Sequence, residues 1–191
     1  MRLAVLGSTR GTNLSPLAEA IQRRILDAEI QVVISNKPDA LILERARSLN
    51  LPAQFMDSSE LSRDVFDARI AAVLRERKID LVVLIGYMRI LSSDFVREWR
   101  DQIINVHPSL LPAFAGKMDM DVHEAVIAAG LKETGCTVHY VSEEVDAGPI
   151  LLQKTCAVLV GDTPQTLKQR VQVLEGEALV QAIAELKKCR T

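Results

Sequence analysis

The sequence predicts an α/β protein: a single domain with a doubly wound, mostly parallel sheet and flanking helices. Three observations carry this. Short β-branched runs alternate with helical patterns of ten or more residues, which is how βαβ units read. The run LVVLI at 81–85 is apolar at every position rather than every second one, as in a central strand buried on both faces. The length of 191 residues suits one domain, typically ~100–200 residues, and at that size folding buries roughly 70% of the unfolded chain's surface.

Taken in order, residues 3–6 form a strand run stopped by Gly7. Ser15-Pro16 then opens a helix, since proline is tolerated where the N–H has no intrahelical partner. Leu14, Leu17 and Ile21 recur at helical spacing. IQVVI at 30–34 is the second strand, 38–49 a helix through Leu41, Ile42, Ala46 and Leu49, and 52–55 a short third strand. Residues 61–77 read as an amphipathic helix with Val65, Ile70, Val73 and Leu74 inward. After the central strand, IINV at 103–106 is another strand, and 137–141 and 150–160 are later ones. The segment from Thr163 to Lys188 reads as a helix, with Thr163 as cap, Pro164 in the first turn and an inner stripe of Leu167, Val171, Leu174, Ala178, Ala182 and Leu186. Ligands of such sheets lie beyond the carboxyl ends of the strands, so the loops after Leu6, Ile34, Ile85 and Val106 are where function is expected.

Composition excludes several classes. Hydrophobic residues make up 48% and charged residues 25%, so global disorder is excluded. Twenty-three Lys and Arg against 25 Asp and Glu give a net charge of −2, which argues against nucleic-acid binding by bulk charge. Only four Phe, two Tyr and one Trp are present, too few for a base-stacking platform. The longest apolar run, 81–88, falls far short of the ~18 residues that suggest a membrane span. The N-terminus enters a strand directly, with no signal-peptide pattern. Three cysteines, Cys136, Cys156 and Cys189, show no CxxC spacing; neither a zinc site nor a disulfide framework is expected, and a cytoplasmic location is.

Four stretches stand out. The first loop, GSTRGTN at 7–13, leaves a strand and enters a helix, so it is either a tight turn or an anion site made by helix N-terminal amides. Its spacing is neither GxGxxG nor GK[ST], which favours a simple phosphomonoester over a dinucleotide. GYMRIL at 86–91 follows the central strand and by itself reads as a helix start with a surface Arg. In NVHPSLLP at 105–112, Asn105 and His107 are two apart at a strand end and share one face. An amide and an imidazole there can stabilise an oxyanion or shuttle a proton. In VDAGP at 145–149, Asp146 either caps the turn or, facing His107, raises the imidazole pKa. Asp119, Asp121 and His123 alternate like metal ligands, but the run continues as a helix, where i and i+2 diverge, and HExxH fails at Ile127. No metal is expected.

These stretches, with SNKPDA at 35–40, resemble the folate-dependent phosphoribosylglycinamide formyltransferases over nearly the whole chain. NVHPSLLP followed by DAGPI is specific to the formyltransferase fold, and methionyl-tRNA formyltransferase and formyltetrahydrofolate deformylase share it. The resemblance implies a Rossmann-like formyltransferase domain over 1–191, with a phosphate-binding part to about residue 100 and a catalytic and folate-binding part after it. It implies transfer of formyl from 10-formyltetrahydrofolate, as co-substrate, to the amine of phosphoribosylglycinamide in purine biosynthesis. Asn105, His107 and Asp146 match the catalytic trio. Gly11, Thr12 and Asn13 match the phosphate loop, and Gln172, Val173, Leu174 and Glu175 the stretch that helps hold the acceptor. Arg63, Met88, Arg89, Ile90, Leu91, Asn105, Ser142, Glu143, Glu144, Val145 and Asp146 match folate-holding segments. The expected partners are these small molecules alone, with no nucleic acid or membrane, in a monomer or homodimer.

Two departures accompany the resemblance. Thr9-Arg10 stands where many members are glycine-richer, and the segment after Gly116 (KMDMDVHEA) is longer than in some relatives. In the implied mechanism Asn105 donates to the oxyanion while His107, kept protonated by Asp146, stabilises it and protonates the leaving folate nitrogen. Asp146 helps remove the amine proton. The deformylase has an extra N-terminal domain and the tRNA enzyme an extra C-terminal one, for which a 191-residue chain has no room. A non-catalytic nucleotide-binding module is the reading from another class, and it gives Asn105, His107 and Asp146 no reason to meet.

Overall fold

The computed structural model describes residues 1–189. The elements are β1 (Arg2–Leu6), α1 (Leu14–Gln22), β2 (Glu29–Ser35), α2 (Leu41–Ser48), β3 (Ala53–Phe55), α3 (Arg63–Glu76), β4 (Leu81–Leu84), α4 (Ser93–Glu98), β5 (Ile103–His107), α5 (Met120–Ala128), β6 (Glu133–Tyr140), β7 (Ile150–Ala157) and α6 (Pro164–Cys189). They form one seven-stranded sheet of order β3-β2-β1-β4-β5-β6-β7. The first five strands are parallel; β6 runs antiparallel to β5, and β7 antiparallel to β6.

Two apolar layers cover the sheet. Alternation along β1 sends Leu3 and Val5 to one face with α1, α2, α5 and α6, and Ala4 and Leu6 to the other with α3 and α4. Every residue of β4 is buried, which explains why its sequence shows no alternation. The strand order reverses between β1 and β4. In open α/β sheets that reversal leaves a crevice beyond the carboxyl ends of the two strands, so the loops after β1 and β4 form its floor.

The structure corrects four local expectations. Residues 86–91 form an irregular loop; the helix that follows starts at Ser93, capped by Ser92, whose Oγ accepts from the Phe95 N–H at 3.3 Å. In α3 the inward residues are Phe66, Asp67, Ile70, Ala71 and Leu74, whereas Val65 is 47% exposed; the Ser62 cap sets the helix phase so that Val65 lies off the core face. β6 begins at Glu133, four residues earlier than expected, because its small residues TGCT carry little apolar signal. β7 ends at Ala157, and Leu159 and Val160 are exposed.

Candidate active site

The two floor loops are laced together. Ser8 N–H donates to the Gly86 carbonyl at 3.0 Å, and the Met88 N–H donates to Ser8 Oγ at 3.1 Å. The same hydroxyl donates onward to Asn36 Oδ1 at 2.6 Å, at the end of β2. The loop turns at Gly11 with φ +62, and a Cβ there would lie 2.3 Å from the Ile42 side chain, so only glycine fits.

At the end of β5, Asn105 and His107 share a face, as their spacing predicts. The turn between β6 and β7 brings Asp146 to them: its Oδ2 lies 3.4 Å from His107 Nδ1. That turn is tight because Gly148 lies against the Tyr140 carbonyl, where a Cβ would come within 1.8 Å. A fourth group joins these three. His139 stands opposite Asn105 in the β5–β6 ladder; its Nε2 lies 3.2 Å from Asn105 Nδ2 and 3.6 Å from Asp146 Oδ1. Sequence reasoning missed it. The available signal was that His139 is one of only three histidines, on a strand after the Asn-x-His pair, but only the antiparallel register places it there.

The hydrogen bonds assign the His139 tautomer. The Tyr140 carbonyl can only accept, so His139 Nδ1 donates to it at 2.9 Å. A neutral His139 then accepts at Nε2 from Asn105, which fixes the Asn105 amide with Nδ2 inward and one N–H to spare. On His107 the Asp146 carboxylate faces Nδ1 at 3.4 Å, where it favours a proton. Nε2 is left buried with no protein partner.

Burial pushes the His107 imidazole below its ordinary value. Asp146 and the Phe114 carbonyl pull it up and His139 pushes it down, and the net direction is downward. Burial likewise lowers His139, against the Tyr140 carbonyl and Asp146. The expectation that Asp146 sets the His107 pKa is therefore corrected in direction: desolvation outweighs the carboxylate, and the imidazole lies below its ordinary value rather than above it. The loop after β5 folds over this group, with the Gly116 N–H donating to Asp146 Oδ2 at 2.8 Å.

The other expected site residues fall into two neighbourhoods. Asn13 Nδ2 donates to Glu175 Oε2 at 2.7 Å, so the first loop and α6 meet in the interior. Thr12, Asn13, Gln172 and Val173 help line an open groove of about 1000 Å³ between α1 and α6; Leu174 is half-buried in the core layer, and Asn105, His107 and Asp146 do not line the groove. On the far side of the floor, Leu91 is buried while Met88 and Ile90 are exposed. The Arg89 guanidinium stacks 4.7 Å over the Phe66 ring. Exposed Arg63, the first residue of α3, lines a cavity of about 370 Å³ with Ser92 and Asp94. Buried Asp67 lies between these arginines and accepts from the Ser92 N–H at 2.6 Å; burial pushes its carboxyl up against the pull of Ser92, Arg89 and Arg63. In the β6–β7 turn, Ser142 Oγ donates to the Glu144 carbonyl at 2.8 Å, Glu143 pairs with Arg97, and Val145 is 51% exposed.

Asp119, Asp121 and His123 do not converge. Asp119 precedes α5 and pairs with Lys168, Asp121 is exposed, and His123 is buried. Burial, aided by Lys168, pushes the His123 imidazole down to about 4.

Glu175 is 8% exposed, and burial pushes its carboxyl up to about 7 against the pull of Asn13 and Lys168. The folded state thus holds this proton more tightly than the unfolded chain. Its contribution to stability is full below about pH 4.5 and is lost as pH rises through about 7. Glu175→Gln keeps an acceptor for Asn13 but does not titrate. Its melting temperature, followed from pH 5 to 8, is expected to fall less than that of the wild type; an equally steep fall would show that Glu175 is not the group responsible.

Comparisons with known proteins converge on one family. Residues 1–183 match the family model described as formyl transferase. The phosphoribosylglycinamide formyltransferase of Bacillus subtilis is 34% identical over 186 residues, covering 97% of this chain and 94% of that protein. The trifunctional purine biosynthetic protein adenosine-3 of Gallus gallus is 42% identical over 184 residues, and the match spans 96% of this chain but only 18% of that longer protein. The crystal structure of glycinamide ribonucleotide transformylase 1 from Symbiobacterium toebii superposes with a TM-score of 0.94 at 39% identity, covering 100% of this chain and 89% of that one.

Proposed function

The chain belongs to the formyl transferase family, and from that premise we propose that it transfers the formyl group of 10-formyltetrahydrofolate to the amine of N1-(5-phosphoribosyl)glycinamide, a step of purine biosynthesis. The observation that carries the reading is the meeting of Asn105, His107 and Asp146 beside the crevice of the sheet. The first loop, with Gly11, Thr12 and Asn13, receives the phosphate on its amides, and Gln172 to Glu175 on α6 hold the rest of the acceptor. Met88 to Leu91 and Ser142 to Asp146 hold the pterin, and Arg63 and Arg89 face the anionic end of the folate.

The chemistry follows from this arrangement. The acceptor amine attacks the formyl carbon, and the carbonyl electrons move onto oxygen. Asn105 donates its spare N–H to that oxyanion. His107, neutral at rest, takes the amine proton at Nε2, and the imidazolium so formed sits against Asp146, which stabilises it. As the carbonyl re-forms and the carbon–nitrogen bond to folate breaks, His107 returns the proton to the leaving nitrogen. These steps call on no metal and no covalent enzyme intermediate.

We place the reaction in the cytoplasm, a reading supported by three free cysteines. Among the described residues no helix is long and apolar enough to cross a membrane. The test is a formyl-transfer assay with and without the glycinamide ribonucleotide. Consumption of 10-formyltetrahydrofolate that depends on that acceptor is expected; equal consumption without it would overturn the reading in favour of a hydrolase.

A further inference from the structure

We propose that Arg45 is a positioning residue for the phosphoribosyl acceptor: from α2 it pins both ends of the first loop and so pre-forms the phosphate site. The inference rests on the reading of that loop as the phosphate site and adds to it a residue outside the loop.

The geometry is a two-point clamp. Arg45 Nε donates to the Arg10 carbonyl at 3.2 Å, and Nη1 donates to Ser15 Oγ at 3.0 Å. These acceptors bracket the three residues whose amides would meet the phosphate. One turn earlier on the same face of α2, the Ile42 N–H donates to the Thr9 carbonyl at 3.1 Å. The Ile42 side chain also fills the space beside Gly7 and Gly11. The loop is thus fixed from one helix face by a main-chain bond, an apolar contact and a guanidinium.

Two physical consequences follow. A loop already held in shape loses little conformational entropy when an anion binds, so more of the interaction appears as affinity. And Arg45 bonds only neutral acceptors; among the described residues no carboxylate lies within ion-pair distance of it. Its charge is left to act on an incoming phosphate in a chain whose net charge is −2. Arginine suits the role because its planar fork reaches two separated acceptors at once, which a lysine ammonium does less well. The clamp also accounts for a loop that carries Thr9-Arg10: rigidity comes from outside the loop.

The test compares Arg45→Gln, Arg45→Lys and Ser15→Ala with the wild type, by steady-state kinetics and by calorimetry of glycinamide ribonucleotide binding without folate. Arg45→Gln is expected to raise both the KM and the Kd for the ribonucleotide about 10- to 100-fold, the scale of charge-assisted hydrogen bonds. Its kcat and the KM for 10-formyltetrahydrofolate should stay within about 2-fold of wild type. Arg45→Lys should recover part of the loss, and Ser15→Ala, which keeps the charge and removes one anchor, should cost about 3-fold. Should Arg45→Gln not fold, Ser15→Ala and Arg45→Lys decide. Unchanged ribonucleotide affinity in the folded variants, or equal losses for both substrates, would overturn the proposal. A wild-type protein that binds no ribonucleotide would overturn the phosphate-site reading along with it.

Discussion

Replacing His107 with alanine is expected to lower kcat by roughly 10²–10⁴-fold, the range for a positioned proton-transfer group. The residue is 5% exposed, its Nδ1 faces Asp146, and its Nε2 has no hydrogen-bond partner, so on the proposed reading Nε2 is the nitrogen that takes and returns a proton. The pH profile gives a second check. On the proposed reading catalysis needs the neutral ring, and burial lowers its pKa, so kcat/KM of the wild type should hold steady as pH falls to the ordinary histidine value of 6.5 and decline only below it. That acid limb belongs to the coupled group of His107, His139 and Asp146 rather than to one residue. Asp146 is the largest influence raising the His107 pKa, so Asp146→Asn should move the limb to still lower pH. Near-wild-type turnover by a folded His107→Ala enzyme would remove His107 from the mechanism.

Asn105→Ala is expected to lower kcat about 10²–10³-fold, the usual loss on removing one oxyanion donor. The Asn105 amide is constrained in its orientation. His139 is held by the Tyr140 carbonyl and accepts from Asn105 Nδ2, so the amide cannot turn its oxygen inward without placing two acceptors face to face. Asn105→Asp separates donation from shape: it keeps the volume but offers no N–H, and it should lose at least as much activity as the alanine variant. Aspartate activity close to wild type would show that Asn105 contributes by filling space.

Much of the frame could be read from the sequence, because the sheet's central strands announce themselves. β4 is apolar at all four positions since both faces are covered, and β1, β2 and β5 end within a residue or two of their expected limits. Legibility failed where tertiary context decides. Val65 and Phe66 are adjacent, and either can begin an apolar stripe; the Ser62 cap settles which faces in. Glu175 interrupts the expected stripe of α6 because its burial depends on Asn13, 162 positions away. The Asn-x-His pair and Asp146 were legible as separate motifs. The ring of four groups was not, since His139 joins it through a cross-strand register and the lowered His107 pKa comes from burial, which local spacing does not encode.

The Ser8 lacing has a consequence for which acceptors are accepted. One hydroxyl and one amide tie the loop after β1 to the loop after β4, so the spacing between the phosphate end and the pterin end of the crevice is set by main-chain geometry. On the proposed reading the crevice is then a molecular ruler. An acceptor whose amine sits one atom nearer to or farther from its phosphate would satisfy either end but not both, and its length alone would set it apart from the correct substrate.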